Sequence, residues 1–86
     1  MPRISEFFGI AIYIHWREHG PPHFHAVYGE FEASIAIEDA MVLNGSLPPR
    51  VLGLVIEWAT LRRVELRVAW VRAQSQQPLE KIDPLR

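Results

Sequence analysis

The sequence predicts an α+β domain: a three- or four-stranded antiparallel sheet, one long helix in the C-terminal half packed on one face, and an extended C-terminal tail. Three observations carry this. Residues 10–16 alternate, with Ile10, Ile12, Ile14 and Trp16 on one side and Ala11, Tyr13 and His15 on the other, the period-2 pattern of a half-buried strand. Residues 23–38 alternate about Tyr28-Gly29-Glu30-Phe31, a two-residue hairpin turn with Gly29 at the position where a type II′ turn needs positive φ. Residues 48–73 then change period, placing Val51, Leu54, Val55, Trp58, Ala59, Leu66 and Ala69 on one broad helical face.

In chain order, the first strand ends at "REHGPP". There Gly20 can adopt positive φ, while Pro21 and Pro22 fix their own φ and bias the preceding residues away from helix, so the connection is stiff. Strand two runs His23 to Tyr28 and strand three Phe31 to about Glu38, and a short fourth strand, Met41 to Leu43, returns before "NGS". Ser46 offers an N-cap for the helix, and the prolines of "SLPPR" fall in its first turn, where a missing N–H has no intrahelical acceptor to lose. Unbroken from Pro48 to Ala73, the helix would be roughly 39 Å long at 1.5 Å per residue, against the ~25–30 Å expected across a domain of this size. It must overhang, bend or pack on a second copy. Pro78 and Pro84 prevent regular helix in the tail, whose Leu79, Ile82 and Leu85 predict that it docks on the core.

With 86 residues, 49% of them hydrophobic, the chain is expected to form a single domain, 1–86, with one core. Having no cysteine, it can form neither disulfides nor thiolate zinc sites, so any metal centre must be built from His, Asp and Glu. The opening "MPRISEFFGI" lacks the apolar run of a signal peptide, and no segment approaches the ~20 apolar residues of a membrane span, so the expectation is a cytoplasmic protein. Net charge is −1 but uneven: −4 over residues 1–49, +3 over residues 50–73 and zero beyond.

Three of the four histidines lie in "HGPPHFHAVYGEFEASIAI". The hairpin register sets Phe24 opposite Ile35 and Ala26 opposite Ala33 on the helix-covered face. It sets His25 opposite Ser34, Val27 opposite Glu32 and His23 opposite Ala36 on the other. Strand one adds Tyr13 and His15 to that second face, and His19 is presented from the loop beside it. With one helix available, the face is expected to be open. His23 and His25, about 6.6 Å apart along a strand, could hold zinc or another divalent ion with His15 as a third ligand, His19 or Glu32 being alternatives. The plainer reading, which is favoured, is that histidine suits a half-exposed strand and no cofactor is required. As catalytic candidates the same face offers His23, His25 and Glu32; Ser34 is near His25 but lacks the strained elbow of a nucleophilic serine.

The helix arginines Arg50, Arg62, Arg63, Arg67 and Arg72 are scattered around the wheel, and only Arg63 and Arg67 form a tight pair, so any nucleic-acid binding is expected to be weak and non-specific. Arg62 falls in the middle of the apolar face and is expected to reach past it to water. Trp16, Trp58 and Trp70 read first as core residues, with Trp70 the best anchor for an interface.

The segments "MPRISEFFGIAI", "PPHFHAVYGEFEA", "GSLPPR", "VIEWA" and "PLEKIDPLR" resemble the small bacterial domain of unknown function family 4160, over nearly the whole chain, with "PPHFHA" (Pro21 to Ala26) the most specific element. Members of that family often resemble one half of a two-gene, toxin–antitoxin-like cassette, which implies a small co-encoded protein partner; no catalytic residue comes with the resemblance. The expected function is therefore a protein-interaction or regulatory component of such a pair, acting as a complex or a homodimer. The binding candidates are Tyr13, His15, His19, His23, His25, Ser34 and Trp70. The alternative is a small hydrolase or nuclease using the histidine cluster, with or without a metal.

Overall fold

The computed structural model describes residues 2–86. Five strands form one antiparallel sheet in simple sequential order: β1 (Arg3–Phe7), β2 (Ile10–Tyr13), β3 (His23–Tyr28), β4 (Phe31–Ala36) and β5 (Val42–Ser46). Two helices follow, α1 (Pro49–Leu61) and α2 (Arg63–Gln74), and the chain ends in an irregular tail.

This corrects the expected architecture at both ends. The sheet has five strands because the first segment, Arg3–Phe7, pairs with β2 through a turn in which Phe8 and Gly9 both take positive φ, 49° and 77°. An irregularity between Arg3 and Ser5 buries two successive side chains, Ile4 and Ser5, before Phe7, so the polar Ser5 takes the regular inward place and Ile4 and Phe7 stand three residues apart. The return strand is Val42–Ser46 rather than Met41–Leu43, so Ser46 belongs to the sheet edge, and Pro48 caps α1 without a side-chain hydrogen bond.

The helix is two helices. An unbroken 26-residue rod would outrun a molecule whose longest extent is 33 Å. The break falls at Arg62, φ −112° and ψ 25°, where continuation would have pointed a guanidinium into the core. Instead its side chain turns to Glu65 (3.4 Å) and approaches Asp83 (4.0 Å). The bend re-aims α2, so Val51, Val55, Trp58 and Ala59 of α1 and Leu66, Ala69 and Ala73 of α2 are all buried. Against them the sheet sets Ile4, Phe7, Ile10, Ile12, Phe24, Ala26, Ala33 and Ile35. Trp16, expected on this face, is instead exposed in the loop after β2.

The tail docks as its apolar residues predicted. Ile82 is buried and its N–H donates to the Ile4 carbonyl at 2.7 Å, Lys81 Nζ donates to the Arg3 carbonyl, and the Trp58 indole donates to the Asp83 carbonyl at 2.8 Å.

The tight arginine pair is engaged inside the molecule. Arg63 Nε donates to the Ile37 carbonyl at 3.2 Å, and Arg67 grips Glu38 through Nε and Nη2 at 2.9 and 2.6 Å. The hydrogen bonds from Arg67 hold the Glu38 carboxyl below its ordinary range. A carboxyl whose folded pKa is depressed contributes stability that is present above its unfolded pKa and lost as pH falls through the folded one. Glu38→Gln should therefore be less stable than wild type at neutral pH, and the two denaturation midpoints should converge in acid. A constant difference across that range would show that the ion pair is not the source.

Gly45 controls the sheet edge. It has φ 78°, and a Cβ there would run into the Glu32 carbonyl oxygen and lie 3.1 Å from Ala33 Cα, both backbone atoms that cannot yield. Gly45→Ala should cost at least ~1–2 kcal/mol from the left-handed conformation alone, measured by urea denaturation. An unchanged midpoint would mean β5 does not pair in this register.

Candidate functional site

Strand register positions the histidines. β3 pairs with β4 so that His25 faces Ser34, Val27 faces Glu32 and His23 faces Ala36, the alignment that a two-residue turn at Gly29 demands. β2 adds Tyr13 opposite His25, and His15 lies two residues past the end of that strand. The loop at 14–22 then folds back over this end of the sheet. Its position is held by Gln74 of α2, whose side-chain amide donates to the Glu18 carbonyl at 2.7 Å.

That clamp brings the Glu18 carboxylate to the imidazoles. Glu18 Oε1 lies 2.5 Å from His25 Nε2 and 3.3 Å from His23 Nε2. On its far side His25 Nδ1 is 3.2 Å from Ser34 Oγ and 3.7 Å from Glu32 Oε2. The His15 and His25 rings are 4.0 Å apart, His23 and His25 5.1 Å, and Trp70 packs on His23 at 5.2 Å. The site is thus less open than expected: His23 is only 7% exposed, while His15, Glu18 and His25 are half-buried.

The hydrogen-bond chemistry constrains the protons. His23 Nδ1 is 2.8 Å from the Pro21 carbonyl, which can only accept, so this nitrogen carries a proton. In a neutral ring the opposite nitrogen then presents a lone pair to the Glu18 carboxylate, acceptor facing acceptor. His25 has no such conflict, since Nε2–H can donate to Glu18 while Nδ1 accepts from the Ser34 hydroxyl. His15 Nδ1 is buried without a partner.

Electrostatics follow from this crowding. Burial and the neighbouring His25 lower the His15 pKa, with Glu18 and Glu32 pulling in the opposite direction. Burial alone would raise the Glu18 carboxyl, but the hydrogen bond from His25 and the charges of His25, His23 and His15 outweigh it and hold the carboxyl below its usual value.

Of the residues singled out in the sequence, His15, His23, His25, Ser34 and Trp70 therefore meet, with Glu32 at the margin. Tyr13 is half-buried beside His25, and His19 is exposed and makes none of these contacts. Glu18 is the residue that sequence reasoning missed. Its one signal is that it is the only carboxylate between His15 and His23; as part of "REHGPP" it reads as turn.

The arrangement offers two kinds of chemistry. Glu18, His25 and Ser34 form a hydrogen-bonded chain of acid, base and hydroxyl beside a shallow groove of about 280 Å³ lined by Glu32, Asn44 and Gly45. Alternatively, His15, Glu18 and His25 each bring one ligand atom within 4.8 Å of the other two, the donor set of a divalent cation.

Among the described residues no helix is long and apolar enough to cross a membrane. Neither a curated protein nor a solved structure matches the chain. Residues 9–71, which contain the whole histidine cluster and all of the sheet except β1, match the family described as domain of unknown function (DUF4160). With well over half its length matched, the chain belongs to that family.

Proposed function

We propose that this chain is the interaction or regulatory half of a cytoplasmic, toxin–antitoxin-like protein pair, and that it receives its partner on the outer face of its helices. The observation that carries this reading is an apolar ridge. On α2, Val64, Val68 and Val71 are 67%, 48% and 62% exposed and recur at the 4-3 spacing of one helical stripe, and Leu61, 63% exposed, ends α1 just before the bend. The stripe lies opposite the buried Leu66, Ala69 and Ala73, so α2 is apolar on both sides where a surface helix is normally polar on one. A groove of about 240 Å³ between Val64, Val68 and the tail residue Ile82 deepens it.

Charge selects the occupant. The helices, residues 49–74, carry a net charge of +3, and Arg67, paired with Glu38, and Arg72, 3.9 Å from Glu80, flank the ridge on its two sides. An acidic amphipathic helix would lay apolar residues on the valines and share Arg67 and Arg72 with the chain's own Glu38 and Glu80, a polar gain that a second copy, bringing the same paired arginines, does not offer. The test is light scattering of the chain alone and mixed with the protein encoded beside it. A 1:1 complex supports the reading. A monomer that ignores its neighbour at high concentration refutes it, and a homodimer would replace the acidic helix with a second copy.

The second reading, a small hydrolase or nuclease, is favoured by the Glu18–His25–Ser34 chain alone. It requires that His25→Ala abolish an activity while leaving partner binding intact.

A further inference from the structure

We infer that His15, Glu18 and His25 form a binding site for one divalent first-row transition ion of the zinc class, with His23 standing by as an additional ligand. The inference does not draw on the helical ridge, although Trp70 and Gln74 of the same helix touch the cluster.

Three features of the cluster call for a cation. First, one ligand atom from each of the three residues already lies within 4.8 Å of the others. Ligands at ~2.0–2.2 Å from a tetrahedral zinc ion stand roughly 3.3–3.6 Å apart, so side-chain shifts of about an ångström, closing the widest pair and opening the 2.5 Å contact of Glu18 with His25, complete the site. Second, His23 Nδ1 is committed to the Pro21 carbonyl, which leaves the Nε2 lone pair of the neutral ring 3.3 Å from a carboxylate oxygen. Two acceptors at that distance repel unless the ring carries a second proton or a cation lies beside them. Third, His15 Nδ1 is buried with no hydrogen-bond partner, a cost in free energy that a metal–nitrogen bond would remove.

The surroundings are those that a metal-bound imidazole uses. With His25 Nε2 turned to the ion, its Nδ1 must carry the proton, and Ser34 Oγ at 3.2 Å and Glu32 Oε2 at 3.7 Å are placed to accept it. A carboxylate or hydroxyl behind the imidazole fixes the ring and raises its basicity. Two imidazoles and one carboxylate suit zinc and its neighbours rather than magnesium or calcium, which take oxygen ligands. Three protein ligands leave at least one coordination position for water or an incoming group.

The experiment is a titration of the full chain with zinc chloride by calorimetry, paired with the visible absorption of the cobalt(II)-loaded protein, which reports nitrogen and oxygen ligation directly. One equivalent should bind. Glu18→Gln and His15→Ala should each weaken binding at least ~100-fold, and Ser34→Ala about 10-fold, with circular dichroism unchanged. His19→Ala, on the exposed loop, should bind as wild type does. The absence of saturable binding at micromolar zinc overturns the site. So does wild-type affinity in both Glu18→Gln and His15→Ala, or loss of binding on replacing His19.

Discussion

Trp58→Ala should destabilise the domain by about 3–5 kcal/mol, the range for removing a fully buried large aromatic side chain. At 0.05–0.15 kcal/mol per residue, a chain of this length has only about 4–13 kcal/mol to lose, so the variant should be largely unfolded in mild urea. Trp58 has this weight because it joins three parts of the fold. From α1 it is completely buried against the sheet, with ring centroids 5.3 Å from Phe7 and 5.8 Å from Phe24, and its indole N–H donates to the tail at Asp83. Trp58→Phe separates the contributions. It keeps most of the aromatic contact but leaves the Asp83 carbonyl without its donor, and should cost about 1–3 kcal/mol. Equilibrium urea denaturation measures both. A loss below ~1 kcal/mol for the alanine variant would show that the tail and sheet do not close on this side chain in solution.

The same residue shows why much of the core was legible beforehand. The face that buries Trp58 follows from helical periodicity, and every residue assigned to it is buried except Leu54, which is half-buried. The β3–β4 register was equally legible, because Gly29 permits one two-residue turn and the side-chain period of two then fixes every facing pair. β1 was not, since the inward place two residues before Phe7 is held by the polar Ser5 and the bulge sets Ile4 out of step, so no period-2 apolar window finds the strand. Nor was the bend at Arg62: the arginine in the apolar stripe was visible, but whether a helix bends or lets the side chain reach water depends on what packs against it. In the site, His15, His23, His25 and Ser34 could be brought together because strands impose a face. Glu18 could not, because its position depends on a loop held by Gln74, 56 residues away in the chain.

Replacing Val64 and Val68 together by aspartate should abolish partner binding while leaving the fold intact. Two buried anchors at ~2 kcal/mol each amount to roughly 4 kcal/mol, or about a thousandfold in affinity. The fold should survive because both side chains are already exposed and contribute little to the core, and substitutions at such positions stay within about ±0.5 kcal/mol each. Aspartate also differs little from valine in helix propensity. The choice of charge sharpens the experiment. An acidic partner helix meets both the lost apolar contact and two new repulsive carboxylates, whereas Arg67→Glu and Arg72→Glu retain the ridge and should chiefly slow association and reduce its salt dependence. Because Arg67 also holds Glu38 and Arg72 lies 3.9 Å from Glu80, the two reversals must be read beside Glu38→Gln and Glu80→Gln, which lose the same internal pairs without reversing the surface arginines. Calorimetry and light scattering against the co-encoded protein give the affinities, and thermal melts give the control. If the double aspartate variant binds as wild type does and melts at the same temperature, the exposed stripe on α2 is not the docking surface, and the histidine end of the sheet becomes the remaining place for a partner to meet this chain.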